Sequence, residues 1–205
     1  MSNRIGVFAL QSSNYKSVIR ALSHLGSDVS AVDKPSEIFD YSHVVIPGVS
    51  SFGSVVKELH ELELFKTIQS LKGTEIKVLG LCAGMQIMGT ESDESPGVEG
   101  LSWFPFRTQT LRNEQGKRVF HTGWNSIMSY SVYDSEFPVE QGVFYFNHSY
   151  FVNAKISPFK DSTFTPFMNM NILASFSSLN IRGVQFHPEK SQTSGLTVLK
   201  DFVRW

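Results

Sequence analysis

The stretch Gly80-Leu81-Cys82-Ala83-Gly84 constrains this chain more than any other. An apolar run, Val78-Leu79-Gly80-Leu81, leads into it, and a helix-compatible run, Met85-Gln86-Ile87-Met88, leads out. The pattern reads as strand, sharp turn, helix, with the only cysteine of the sequence at the apex. G-x-C-x-G is the cysteine form of the nucleophile elbow, so it predicts an α/β sheet with a sulfur lifted above one edge. A helix N-terminus at that point favours thiolate over thiol. The amide of Ala83, next after the nucleophile, points where an oxyanion would form. A lone cysteine is otherwise a small buried hydrophobe by default. The two flanking glycines favour the nucleophile.

A nucleophilic thiol needs a base, and the base needs an orienting group. Gly183-Val184-Gln185-Phe186-His187-Pro188-Glu189 supplies both residue types. The run Ile181 to Phe186 reads as a strand that ends in His187. His187 can take the Cys82 proton and later give it to a leaving amine. Glu189, two residues on, can fix the imidazole tautomer and stabilise its cation. Pro188 stiffens the link between them.

The rest of the first half alternates strand and helix. Ile5 to Leu10 reads as a buried strand, Val29 to Val32 and Val44 to Ile46 as two more. Asn14 or Ser13 is placed to cap a helix over Tyr15 to Leu25, which Gly26 can end. Val55, Leu59, Leu62, Phe65, Ile68 and Leu71 carry helical spacing through one amphipathic run. Such alternation predicts a mostly parallel sheet. The second half differs. Its short, turn-bounded runs, Trp103 to Thr108, Lys117 to His121, Gly142 to Tyr145, Tyr150 to Asn153, Ile172 to Phe176 and Ile181 to Phe186, fit antiparallel strands better. Lys155 to Asn171, rich in Ser, Thr, Pro and Phe, reads as a loop, and Thr193 to Trp205 as a last helix. No repeat or linker calls for a domain cut, so residues 1–205 are expected to form one domain. Parallel strands end at one edge, where open α/β folds bind ligands. Pro47-Gly48, Cys82 and His187 all follow strands and are expected to meet there.

Composition excludes several classes. A chain of 205 residues, 41% hydrophobic, can bury a sizeable core. It has no 18-residue apolar run for a membrane span and no signal-peptide pattern at Met1-Ser2-Asn3-Arg4. A formal charge of -1 without a basic block speaks against nucleic acid as a partner. One cysteine fits a reducing cytoplasm, and no Cys/His spacing suggests a metal. No cofactor is expected.

G-L-C-A-G-M-Q together with V-Q-F-H-P-E resembles the class I, or triad, glutamine amidotransferases. Pro47-Gly48-Val49-Ser50-Ser51-Phe52-Gly53, His121-Thr122-Gly123-Trp124-Asn125 and Tyr145-Phe146-Asn147-His148-Ser149-Tyr150 are similar to the glutaminase subunits of imidazole glycerol phosphate synthases. The resemblance covers nearly the whole chain. It implies a flavodoxin-like three-layer sandwich with antiparallel strands in the C-terminal half of the sheet. It implies that Cys82, His187 and Glu189 hydrolyse L-glutamine to glutamate and ammonia through a thioester. Gly48 and Val49 would turn an amide toward the oxyanion beside Ala83. Gln86 would contact the substrate, Glu94 its ammonium group, and the backbone of Ser149 and Tyr150 its carboxylate. His148 is a second candidate acid or base, with a structural role the stronger expectation. Trp124 and Asn125 would face a partner, expected to be a separate TIM-barrel synthase, or cyclase, subunit in a heterodimer, because the sequence ends at Trp205 without a synthase domain. That synthase would use the ammonia in histidine biosynthesis.

Two departures from the family pattern leave alternatives open. Gln11-Ser12-Ser13-Asn14 stands where a glycine-rich turn is usual, and Ser50 where the loop after Pro47 usually has glycine. Ser50 either stiffens the oxyanion loop or caps the helix beginning near Phe52. A paralogous glutaminase that supplies ammonia to a surface-polysaccharide sugar would look much the same. A stand-alone thiol hydrolase on the same sheet edge is the third reading.

Overall fold

The computed structural model describes residues 3–129, 142–153, 159 and 161–205. In chain order the elements are β1 (Arg4–Phe8), α1 (Tyr15–His24), β2 (Asp28–Val32), β3 (His43–Ile46), α2 (Phe52–Glu61), α3 (Leu64–Gln69), β4 (Lys77–Leu81), α4 (Ala83–Gln86), β5 (Glu91–Ser92) and β6 (Arg107–Thr110). β7 (His121–Ser126), β8 (Met128–Ser129), β9 (Val143–His148), β10 (Tyr150–Phe151), β11 (Asp161–Phe167), β12 (Met170–Ser178), β13 (Ile181–Val184) and α5 (Gln192–Arg204) follow.

Among the described residues the main sheet has eight strands in the order β2-β1-β3-β4-β13-β12-β11-β8. From β2 to β13 neighbours run parallel; β12, β11 and β8 add on antiparallel. The run expected to be antiparallel over Ile181 to Phe186 is thus parallel to β4 on one side and antiparallel to β12 only on the other, and it ends as a strand at Val184. Both faces of the parallel strands are covered, which is why β1, β3 and β4 read as continuous apolar runs. Alternate residues divide between two cores. Ile5, Val7, Val45, Leu79 and Val184 face α1 and α5 through Val18, Leu22, Leu199 and Phe202. Phe8, Val44, Ile46 and Val78 face α2 and α3 through Val55, Leu59, Leu64 and Ile68. This is the mostly parallel α/β sandwich that the alternation of elements predicts.

Several local expectations need correction. The amphipathic run from Val55 to Leu71 is two helices, because Glu63 adopts φ 58 and interrupts the ladder of hydrogen bonds. Apolar spacing misses the break, since Val55 and Leu59 before it and Phe65 and Ile68 after it are all buried. Neither Asn14 nor Ser13 caps the backbone of α1. The Asn14 side chain accepts from Ser17 Oγ at 2.9 Å, and Ser13 Oγ donates to the Leu10 carbonyl. Gly26 does close α1, at φ 77, with its amide on the Ser23 carbonyl at 2.9 Å.

In the second half, Trp103 to Phe106 is buried irregular backbone, held by rings such as Phe104 against Phe176, and the strand begins only at Arg107. The strand expected over Lys117 to His121 starts at its last residue, with one bridge between Arg112 and Arg118 before it. The expected loop over Lys155 to Asn171 contains β11, paired along its length with β12. Of that loop, residues 155–158 and 160 lie outside the described residues. Its Thr and Phe residues carry strand propensity, and Pro166 lies beyond Thr163 and Phe164, which pair with β8. Residues 130–141 are likewise outside the described set.

Candidate active site

β3, β4 and β13 are sheet neighbours whose C-terminal ends lie side by side, with Ile46 opposite Gly80 and Val184 opposite Leu81. The chain therefore delivers Pro47-Gly48, Cys82 and Gln185 to His187 to one edge. Cys82 sits at φ 52, ψ -109, left-handed backbone that costs a non-glycine residue about 1–2 kcal/mol. Its amide donates to the Val184 carbonyl at 2.8 Å, and its carbonyl accepts from Met85 and Gln86, so three backbone bonds hold the turn in place. The flanking glycines serve close approach. A Cβ at Gly84 would lie 2.0 Å from the Ile46 carbonyl oxygen, and one at Gly80 2.7 Å from the Gly84 carbonyl oxygen; on the facing loop, one at Gly48 would lie 2.6 Å from the Gly84 nitrogen. The following helix is a single turn, Ala83–Gln86. Its dipole is short, and the charge that faces the sulfur comes from His187 instead.

His187 and Glu189 are both 2% exposed in their side chains, and His187 Nδ1 lies 3.0 Å from Glu189 Oε1. That leaves Nε2 for its hydrogen bond with Cys82. Burial alone would depress the imidazolium. The charge and hydrogen bond of Cys82, joined by those of Glu189, outweigh it and raise the His187 pKa from 6.5 to about 10. His187 thus holds a proton at neutral pH, next to the sulfur. A 3₁₀ turn over Pro188–Lys190 returns Glu189 beneath the ring. Outside it, Ser191 Oγ donates to the His187 carbonyl at 2.6 Å, and the His187 amide to the Tyr145 carbonyl at 2.9 Å.

Cys82 opens into a cleft of about 230 Å³. Val49, Ala83, Gln86, Glu94, Ser149 and Tyr150 all line it, so six of the residues singled out in the sequence come together around the sulfur. Gly48 stays behind the elbow. Larger grooves, of about 450 Å³ beside Glu114 and Met168 and about 680 Å³ beside Val56 and Phe65, do not include Cys82 or His187. Gln86 is 3% exposed, not a solvated polar residue, and its Nε2 donates to the Tyr150 carbonyl at 2.9 Å and to Gln185 Oε1 at 3.0 Å. Glu94 Oε2 accepts from the Phe52 amide at 2.8 Å, so the α2 N-terminus holds it in the cleft wall. Ser51, not Ser50, caps α2, accepting from the Ser54 amide at 3.2 Å. Ser50 is also not left-handed, so the expected strain is absent; its buried Oγ has no hydrogen-bond partner.

Trp124 stands 49% exposed on β7, its ring 6.0 Å from that of Tyr145 across the β7–β9 ribbon. Asn125 turns inward instead and donates to the Pro166 carbonyl at 2.9 Å. On the same inner side, His121 and His148 form a buried pair at 3.1 Å. The Gln11–Asn14 turn is anchored to α2, because the Glu58 carboxylate accepts from the amides of Gln11 and Ser12 and from the Ser12 hydroxyl.

The sequence reading missed four neighbours of the site. Gln185 Nε2 donates to Cys82 Sγ at 3.5 Å. Asn147 and Phe120 line the cleft, and Arg118 donates to Ser149 Oγ at 2.7 Å from beneath the Phe120 and Tyr150 rings. Only Gln185 left a usable signal: a polar residue inside the apolar run Val184-Gln185-Phe186. Among the described residues no cluster of His, Cys, Asp or Glu could hold a metal, and no helix is long and apolar enough to cross a membrane.

A strained cysteine elbow on a parallel sheet, with a buried His-Glu pair on the neighbouring strand end, defines a class of enzyme, and the chain belongs to it: the class I glutamine amidotransferases, whose family model matches residues 7–205. Its relatives narrow the class to the HisH family. The chain is 34% identical over 197 residues to imidazole glycerol phosphate synthase subunit HisH 2 of Vibrio vulnificus, covering 94% of this chain and 90% of the relative. It is 35% identical over 201 residues to subunit HisH of Methanothermobacter thermautotrophicus, covering 97% of both. The solved structure of PurLQS from Thermotoga maritima shares the fold, with a TM-score of 0.70, 21% identity and coverage of 100% of this chain and 99% of that one.

Proposed function

We propose that this chain is the glutaminase subunit of an imidazole glycerol phosphate synthase, hydrolysing L-glutamine and handing the ammonia to a separate synthase subunit for histidine biosynthesis. The observation that carries this reading is the Cys82–His187–Glu189 arrangement, whose Cys82 opens into an amino-acid-sized cleft. The Cys82 sulfur attacks the glutamine carboxamide. The Val49 amide and the Ala83 amide, one of those a helix start leaves unpaired, receive the oxyanion. His187 passes its proton to the departing ammonia. It then takes one from the water that splits the thioester, with Glu189 steadying its charge. Glu94 matches the substrate ammonium. The Ser149-Tyr150 backbone matches its carboxylate, with the Arg118 guanidinium bonded to Ser149 Oγ supplying the opposite charge.

Ammonia released into water is mostly protonated and lost, so the acceptor must dock on this chain. The acceptor is a TIM-barrel cyclase forming a heterodimer in the cytoplasm, and residues 1–205 act as one domain. The docking face is the outer side of the β7–β9 ribbon, where Trp124 and Val143 are each 49% exposed. Trp124 pairs with Tyr145, whose carbonyl holds the His187 amide, so contact at this face bears directly on the base.

The test is glutamine hydrolysis by the chain alone and with the synthase subunit and its ligand. The rate should be low alone and rise with the partner. Cys82→Ala should lose about 10³-fold or more in both settings, and Trp124→Ala should lower the ammonia incorporated per glutamine hydrolysed. Hydrolysis by Cys82→Ala near the wild-type rate would sink the reading. Full activity alone, indifferent to any partner, would favour a stand-alone thiol hydrolase.

A further inference from the structure

The Tyr150 carbonyl at the cleft edge accepts two hydrogen bonds, from His148 Nδ1 and from Gln86 Nε2, each at 2.9 Å. A backbone carbonyl can only accept, so the Gln86 group facing it must be the NH₂. The second N–H of that group meets Gln185 at 3.0 Å, so the Gln185 atom there must be Oε1. The remaining end of the Gln185 amide is then its NH₂, and it lies 3.5 Å from Cys82 Sγ. Flipping either amide sets oxygen against oxygen or NH₂ against NH₂ in a space where Gln185 is 0% exposed. One backbone oxygen therefore fixes the direction of two side-chain amides and aims an N–H at the sulfur.

We propose that Gln185 is a dedicated hydrogen-bond donor to the Cys82 sulfur, aimed by Gln86 and the Tyr150 carbonyl. Cys82 is 5% exposed, so its sulfur has little water to stabilise negative charge. The sulfur is negative twice in a thioester cycle: before it attacks, and when the thioester breaks. His187 faces it with a proton at the first of these points, but must be free to give that proton to the leaving ammonia. A neutral amide keeps its N–H throughout, so it serves the sulfur when the imidazole is occupied elsewhere. The bend after β13 provides for this: Gln185 and His187 both reach Cys82, while Val184 and Phe186 go to the core. The Tyr150 backbone that aims the amides also belongs to the stretch assigned to the substrate carboxylate. Occupancy of the cleft and the donor to the sulfur thus share the backbone of one residue, the substrate carboxylate at an amide and Gln86 at the Tyr150 carbonyl.

The catalytic part of this proposal rests on the glutaminase reading, but its test need not. Cys82 is the only cysteine, so alkylation of the full chain by iodoacetamide reports one thiol. Gln185→Met keeps the length and removes the donor. The pH midpoint of its alkylation rate should lie about half a unit or more above that of wild type, while the plateau rate stays within about twofold. Gln185→Glu, nearly isosteric, serves where methionine disturbs packing and should move the midpoint further. Gln86→Met, which releases the aim, should give part of the shift. In the assembled synthase, Gln185→Met should lower kcat with KM within about twofold. An unchanged midpoint in folded Gln185→Met and Gln185→Glu would overturn the proposal, as would an equal loss of rate at every pH. Failure of glutamine hydrolysis in wild type would remove the glutaminase reading and leave the alkylation profile standing.

Discussion

His187 and His148 are both buried beside the Cys82 elbow, 2% and 8% exposed, and burial pushes both toward the neutral form. They end at opposite extremes. His187, against the Cys82 sulfur and the Glu189 carboxylate, is raised to about 10. His148 is lowered to about 3, first by burial and then by neighbouring His121; its bond to the Tyr150 carbonyl works the other way and does not prevail. His121, stacked on Phe146 and Phe167, is lowered by burial to about 4. The same residue type at the same edge becomes a proton carrier in one place and a rigid hydrogen-bond spacer in the other. What separates them is an anion within reach. A neutral His148 that donates through Nδ1 must accept through Nε2, so His121 Nδ1 donates to it. Both tautomers are fixed by one backbone carbonyl, and neither ring carries the second proton of an imidazolium at neutral pH.

The sharpest way to break this contrast is to remove the anion. Glu189→Gln keeps the shape and a hydrogen-bond acceptor but takes away the charge. Glutamine hydrolysis in the assembled synthase should fall by about 10²–10⁴-fold. The alkaline limb of its pH profile should move downward, because His187 then holds its proton less well. A loss under threefold would mean that the Cys82 charge alone sets His187.

The contrast also predicts how stability depends on pH. His187 has a folded pKa of about 10, above its ordinary 6.5, so its stabilisation is complete below pH 6.5 and is lost as pH rises toward 10. His121, His148 and also His43, held at about 4 by burial and then by Lys77 and Arg182, lie on the other side. Their contribution is complete above pH 6.5 and is lost as pH falls toward 4 and 3. Urea unfolding from pH 4 to 10 should show a maximum near 6.5–7. In His187→Gln the alkaline fall should shrink while the acid fall remains.

The smallest expected effect lies at Ser50. Its buried hydroxyl has no partner, so Ser50→Ala should stabilise the chain by up to about 1 kcal/mol. Loss of stability, measured by thermal unfolding, would show that the hydroxyl has a partner in solution.

The fold and the triad were legible in the sequence for a common reason: each rests on local chemistry. A cysteine between glycines after an apolar run, and a His-Pro-Glu after a strand, are short-range patterns that the parallel sheet brings together without further information. The misread parts depend on long-range partners. Glu63 breaks a helix that the apolar spacing carries straight through. β11 is a strand because β12 and β8 lie beside it, and its own Ser-Thr-Pro content reads as loop. Asn125, next to an exposed tryptophan, turns inward to the Pro166 carbonyl on β11. Gln185 was visible as a polar residue in a buried strand, but its target, Cys82, is 103 residues away.

Activation of Cys82 by His187 is the central proposal. A chloroketone analogue of glutamine, which alkylates a cleft thiol with loss of chloride, measures this at pH 8 in the assembled synthase. One label per chain is expected, on Cys82, blocked by glutamine. Labelling should be slowed by about 10²-fold or more in His187→Gln and by less than about tenfold in His148→Gln. Labelling that survives His187→Gln and disappears in His148→Gln would contradict it.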